Sequence, residues 1–205
     1  LEEVFEKIAR RIEDLFLRLG IRNLSMDDLA RELGISKKTL YQFVSNKDEL
    51  VLKVLERHIG ERCRLSAGIR ATSADALDEL LRVMEHQAVD LGRIKTNILF
   101  ELQRYHPEAW AVLERYHWSH LFEMVLENLM WGIRDGIYRS DFKPQVVARV
   151  HISSMFSVMD DRLFPRPEYD SKQVFREYML HYLHGILSER GRRLLLERTY
   201  SLIDK

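Results

Sequence analysis

Gly34-Ile35-Ser36-Lys37-Lys38-Thr39-Leu40-Tyr41-Gln42-Phe43-Val44-Ser45-Asn46-Lys47-Asp48-Glu49-Leu50 is the stretch on which the reading of this chain turns. The glycine permits a tight turn, Ser36 can cap the helix that follows, and Lys37 and Lys38 are met by no acid before Asp48. Immediately upstream, Ser25 with Asp28 three residues on forms a capping box for a short helix that buries Met26, Leu29, Ala30 and Leu33. Two short helices about a glycine turn make a helix-turn-helix pattern, whose second helix is the one that meets phosphates and base edges.

Farther out the helical period continues. Val4, Phe5, Ile8, Ile12, Leu15, Phe16 and Leu19 form one stripe opposite Glu2, Lys7, Arg10, Arg11 and Asp14, and Gly20 ends that helix. Asn46 with Glu49 caps a fourth helix, which carries Leu50, Val51, Val54 and Leu55 towards Ser66. A looser stretch is expected from Ala67 to Thr72, with Ser73 opening the next helix. Gly92 and Pro107 bracket another, a long helix runs from Pro107 to Asp135, and two more span residues 145–162 and 171–187, with a short one after Gly191. No run alternates with period two between turn signals. The expected fold class is therefore all-α: an N-terminal three-helix helix-turn-helix domain, residues 1–46, and a larger C-terminal helical bundle, residues 47–205.

The 205 residues, 46% hydrophobic and 31% charged, suffice to bury a core. Lysine plus arginine and aspartate plus glutamate balance at 32 each, so a nucleic-acid site must be a local patch. A single cysteine, Cys63, cannot form an intramolecular disulfide, and no signal-like segment opens the chain, which predicts a cytoplasmic location. The chain begins at Leu1, which leaves room for an N-terminal arm outside this sequence. Lys95, Asn97 and Glu101 interrupt its longest apolar stretch, Ile94 to Leu102, well short of the roughly 20 residues of a membrane span. No membrane partner is expected.

The Gly34 to Leu50 run resembles the signature of the tetracycline-repressor (TetR) family of bacterial transcription regulators, and Ser25-Met26-Asp27-Asp28-Leu29-Ala30 resembles the preceding helix of that family. The resemblance covers residues 1–55 at motif level; beyond them only length, helix number and the Gly136 to Pro144 break match. It implies a homodimer that binds a double-stranded DNA operator and is released by a small-molecule effector. Carried over residue by residue, it places Lys37, Lys38, Gln42 and Phe43 towards the major groove and Tyr41 and Lys47 on phosphate. Met26 falls at a helix start that meets DNA, and Ser25, Ser36 and Thr39 are cap or backbone contacts. Many members have glycine where this chain has Lys38 and phenylalanine where it has Val44.

Large soft side chains between residues 100 and 159 suit a pocket for an apolar or aromatic effector, and Phe100, Arg104, Trp110, Trp118, Phe122, Met155, Phe156 and Met159 are its candidate residues. Histidines and acids one helical turn apart, as in Glu114, His117 and His120 or His181 and His184, have metal-ligand spacing. They lack the second Glu-x-x-His and the facing carboxylates of a bundle site, so no metal and no cofactor are expected. Neither a phosphate loop nor a nucleophile elbow occurs, and the chain is read as no enzyme. Two alternatives stay open: a DNA-binding factor of the same fold without a small-molecule effector, and an enzyme of helical-bundle type. The dimer is expected on a stripe of Val146, Val147, Val150, Ser154 and Val158 facing Val174, Tyr178, His181, Tyr182 and Gly185.

Overall fold

The computed structural model describes residues 2–94, 98–165 and 167–198. Their regular elements are all helical: α1 Glu2–Leu19, α2 Met26–Leu33, α3 Lys37–Leu40, α4 Lys47–Thr72, α5 Ala76–Arg93, α6 Ile98–Tyr105, α7 Pro107–Tyr116, α8 Phe122–Arg134, α9 Pro144–Val158, α10 Ser171–Ile186 and α11 Glu189–Glu197. Among the described residues the only β pairing is an isolated antiparallel bridge of Tyr138 with Leu187, and no helix is long and apolar enough to cross a membrane. The all-α expectation holds.

Three local expectations are corrected. First, α4 continues to Thr72, so the expected loose stretch from Ala67 is helical; Gly60 and Gly68 lie inside it, a cost that the surrounding turns absorb. Second, α5 is opened by Asp75, whose carboxylate accepts the N–H groups of Leu77 and Asp78 at 3.0 Å, while the Ser73 hydroxyl turns back to the Ile69 carbonyl. Third, the long helix from Pro107 is interrupted at His117–Leu121 by one π-helical turn between α7 and α8. Such wide turns arise as single-residue insertions in an α-helix and are frequent at functional sites.

The contacts divide the chain into two compact units, residues 1–64 with 93–116 and residues 65–92 with 117–205. The core of the first is made by Ile12, Phe16, Ile21, Leu29, Leu33, Leu40, Leu50 and Val54 together with Leu102, Ala109 and Leu113 of α6 and α7. Burial of these side chains is the main stabilising force, on the order of 2 kcal/mol for each of the larger ones. Sequence placed α6 and α7 with the C-terminal bundle; here they pack on the helix-turn-helix. Arg57, almost fully buried in this unit, is neutralised by Glu13 at 3.2 Å and Glu61 at 2.8 Å, as a buried cation requires.

In the second unit Leu77, Leu81, Leu129, Ile137, Tyr138, Phe175, Met179 and Leu183 are buried. Gly132 lets α8 receive the ring of Tyr138, which a β-carbon there would overlap. The Tyr138 hydroxyl donates to Asn128 Oδ1 at 3.0 Å and lies 2.9 Å from the Ala76 carbonyl. The stripe expected for dimerisation is only partly outward. Val146 and Val150 are 54% and 59% exposed, whereas Val158 and Tyr182 are buried within the chain. Steps of four residues rotate about 40° each around an α-helix, so by Val158 the stripe has turned inward. Residues 146, 150, 153 and 157 keep one exposed face instead.

Candidate nucleic-acid interface

Local chemistry builds the turn between α2 and α3. Ser25 and Asp28 form the expected capping box, the Ser25 hydroxyl accepting the Asp28 N–H at 3.1 Å and the Asp28 carboxylate accepting the Ser25 N–H at 3.0 Å. Gly34 adopts φ 70°, where L residues with side chains are strained, and ends α2. Its N–H donates to Arg31 and that of Ile35 to Ala30, both near 3 Å, closing a Schellman motif with Ile35 against the core. Ser36 then caps α3, accepting the Thr39 N–H at 3.0 Å. Regular α-helix ends at Leu40, and tighter bonds from Gln42 to Thr39 and from Phe43 to Leu40 carry the winding on to Phe43.

This arrangement brings Ser36, Lys37, Lys38, Tyr41 and Gln42 together as exposed residues on one short element, with Thr39 half-buried. Lys38 pairs with no acid among the described residues. Lys37 is held by Asp27 at 2.9 Å, and this hydrogen bond raises its pKa. Two of the expected contact side chains lie elsewhere. Met26 is buried in the first core, because the capped start of α2 directs it inward, and Phe43 turns its ring towards Phe5, with centroids 5.5 Å apart. Lys47 directs its ammonium to the Ile21 carbonyl at 2.6 Å, and partial burial lowers its pKa. Its placement ties the turn before α2 to the start of α4.

Several positioning residues had no signal in the sequence. Arg11 of α1 donates to the carbonyls of Leu33 and Glu32 at 3.0 and 2.8 Å and closes the end of α2. Lys53 donates to the Phe43 carbonyl at 2.7 Å. From α6, Glu101 accepts the N–H groups of Ile21 and Arg22 at 2.6 and 3.0 Å. Arg22 reaches the Tyr105 hydroxyl at 3.2 Å, and His106 pairs with Asp48 of α4 at 2.6 Å. All join segments remote in sequence, so only folding could disclose them.

A cavity of about 50 Å³ lies in the second unit, walled by residues that include Glu79, Leu80, Val83, His117, Met124, Asn128, His151, Met155 and Tyr182. Of the eight pocket candidates from sequence, Met155 alone lines it. Phe100 and Arg104 are exposed on α6, and Trp110 packs on the first core. Trp118 is 42% exposed. Phe122 stacks beneath Arg149, and Phe156 meets His117 edge-on at 4.2 Å. Met159 is half-buried at the end of α9, outside this wall. Burial lowers the pKa of His117 and of His151 to about 4, so both are neutral at pH 7. No group of three or more potential ligand side chains among the described residues is placed to hold a metal ion.

Comparison with known proteins adds four findings. Residues 8–54 match the family profile of bacterial regulatory proteins, tetR family. The HTH-type transcriptional regulator YvaF of Bacillus subtilis is 28% identical over 158 residues, 75% of this chain and 77% of that one. The HTH-type transcriptional activator FasR of Mycolicibacterium smegmatis is 36% identical over 70 residues, 34% of this chain and 31% of its own. The fold is shared with a TetR-family regulator from Agrobacterium tumefaciens, with TM-score 0.75 and 19% identity over 88% of this chain and 96% of that one.

Proposed function

The chain belongs, through residues 8–54, to the tetR family of bacterial regulatory proteins, and from that premise we propose that it is an operator-binding repressor released by a small molecule held in its second unit. The observation that carries the DNA half is the exposed group Lys38, Tyr41 and Gln42 on a capped, acid-free α3 and the turn that continues it. In this reading residues 1–46 of the first unit bind the operator, the rest of that unit supports them, and the second unit senses and dimerises. Gln42 reads a base edge, Lys37 and Lys38 meet phosphate or guanine, and Tyr41 meets phosphate. Ser36 and Thr39 fix the helix at its entry to the groove. Lys47 acts through the Ile21 carbonyl as well as through charge.

The exposed face of Val146, Val150, Ser153 and Ser157 on α9 supplies the dimer contact, which presents two α3 helices to half-sites ~34–36 Å apart. The effector half is supported by the cavity's form. At about 50 Å³ it holds a few waters, so a larger ligand must displace its wall, including the π turn at His117. Tyr116, the preceding residue, ends the unit that contains the helix-turn-helix. The chain crosses between units within α4, after Gly92 and after Tyr116; α4 is therefore not the sole covalent route. A displaced His117 acts on α7 and α6, and through Glu101 on the turn before α2.

Selection of bound duplexes from a random pool, followed by promoter-fusion assays with the gene deleted, tests this reading. A palindromic consensus and raised transcription on deletion are expected. A pool without consensus defeats operator recognition, and lowered transcription would make the protein an activator, as FasR is described to be.

A further inference from the structure

Among the described residues that line the second-unit cavity, one has an acidic side chain. Glu79 is 3% exposed, and its Oε2 is engaged twice, by Arg70 at 2.6 Å and by the Asn128 amide at 2.7 Å. Its Oε1 has no hydrogen-bond partner among the described residues, and Glu79 lines the cavity. A carboxylate oxygen accepts and never donates, so whatever meets Oε1 must bring a proton. The remaining described lining residues include no lysine or arginine, and the two lining histidines are uncharged near neutral pH. Arg70 stands outside the wall, 37% exposed and stacked 4.3 Å over Trp131; its contact is with Oε2, which leaves Oε1 as an acceptor facing the cavity. The Tyr182 hydroxyl, without a hydrogen bond among the described residues, adds a neutral polar group. Gln87 also lines the cavity, and the apolar part of the lining includes Leu80, Val83, Leu121, Met124, Ile152 and Met155.

From this geometry we propose that the effector is a small organic ammonium: an N–H cation set on Glu79 Oε1, with an apolar or aromatic body along the aliphatic wall. The proposal rests on the effector reading above and narrows it from apolar molecules in general to amines. An anionic headgroup, such as a carboxylate, is disfavoured, because it would face Glu79 with no lysine or arginine among the described lining residues to receive it. A ligand larger than the free space enters by moving Met124 and Met155, whose unbranched thioethers repack readily.

Calorimetric titration of the full-length protein with 2-phenylethylammonium, 2-phenylethanol and 3-phenylpropanoate tests the assignment, because the three probes share a phenyl body and differ in the headgroup. The ammonium should bind about tenfold or more tighter than either other probe, as expected of a charge-assisted hydrogen bond. Glu79→Gln should remove that preference while leaving the alcohol within a few-fold. Met155→Trp, which fills the cavity and leaves the Arg70 pairing intact, should abolish binding of all three and stands in if Glu79→Gln fails to fold. No binding of the ammonium, tightest binding of the carboxylate, or an ammonium affinity unchanged by Met155→Trp would each overturn the proposal. Operator affinity measured on the same samples separates it from the broader reading. Ammonium binding lost in Met155→Trp but without effect on operator affinity upholds the site and defeats effector release; release by the carboxylate alone does the reverse.

Discussion

The carboxylate of Glu101, on α6, accepts the backbone N–H of Ile21 at 2.6 Å, joining the second half of the first unit to the turn that precedes its helix-turn-helix. The same oxygen takes the Arg22 N–H, and Lys47 holds the Ile21 carbonyl from the other side. Both polar groups of one peptide turn are thus fixed by charged side chains from elements that sequence alone would assign to the bundle. A shift of α6 is felt there first.

Removing the acceptor should therefore loosen the turn. Glu101→Ala should cost about 2 kcal/mol, the usual effect of leaving charge-assisted backbone donors unpaired, seen as a lower urea midpoint. The salt slope of DNA binding should not change, since Glu101 is assigned no phosphate. An unaltered midpoint would show that the turn holds itself.

Lys37 and Lys38 differ in availability, because only Lys37 is tied to an acid. Lys38→Ala should weaken duplex binding and reduce the salt slope by about one phosphate contact. Asp27→Asn should tighten binding, since it frees Lys37 and removes a negative charge near the DNA. Filter binding across a salt series measures both; weaker binding by Asp27→Asn would mean that its ion pair positions α3.

Two glycines should respond differently to alanine. At Gly34 there is open space but φ is 70°, so Gly34→Ala should cost only the strain of a left-handed residue, about 1 kcal/mol. At Gly132 a β-carbon would overlap the Tyr138 ring, and Gly132→Ala should cost about 2–3 kcal/mol as overpacking. Equal losses in chemical denaturation would contradict the Tyr138 packing.

Burial holds the pKa of His151 at about 4, against an ordinary value of 6.5. Between those values the unfolded chain takes up a proton that the folded protein refuses. Its contribution is complete above pH 6.5 and is lost as pH falls towards 4, by on the order of 3 kcal/mol. His117 acts in the same direction. His151→Leu should flatten the fall in urea midpoint across this window relative to wild type; parallel profiles would show that the imidazole is not held neutral.

The proposed dimer face is tested at its most exposed apolar positions, Val146 and Val150. Val150→Arg should place like charges across a two-fold contact and yield monomers at micromolar concentration, whereas Val158→Ala, inside the chain, should lower stability without changing oligomeric state. Sedimentation velocity distinguishes the two outcomes. A dimer that survives Val150→Arg would move the interface elsewhere.

Short-range chemistry made the DNA-binding half legible. Caps at Ser25 and Ser36, the left-handed stop at Gly34 and the apolar spacing of Ile8, Ile12, Leu15 and Phe16 each act within a window of a few residues, so sequence alone determined the helix-turn-helix and its exposed α3. The same window misled where partners are distant. Phe43 and Trp110 look available as side chains but are taken by the first core, and neither the rotation of the α9 stripe nor the π turn at His117 is marked by a local signal. Tertiary structure alone decided that α6 and α7 pack with the helix-turn-helix. It alone gathered Glu79, His117, His151 and Tyr182 from four separated segments around one cavity. Helical period fixes which residues share a face, but which faces meet depends on packing of the whole chain, and a cavity is a property of that meeting.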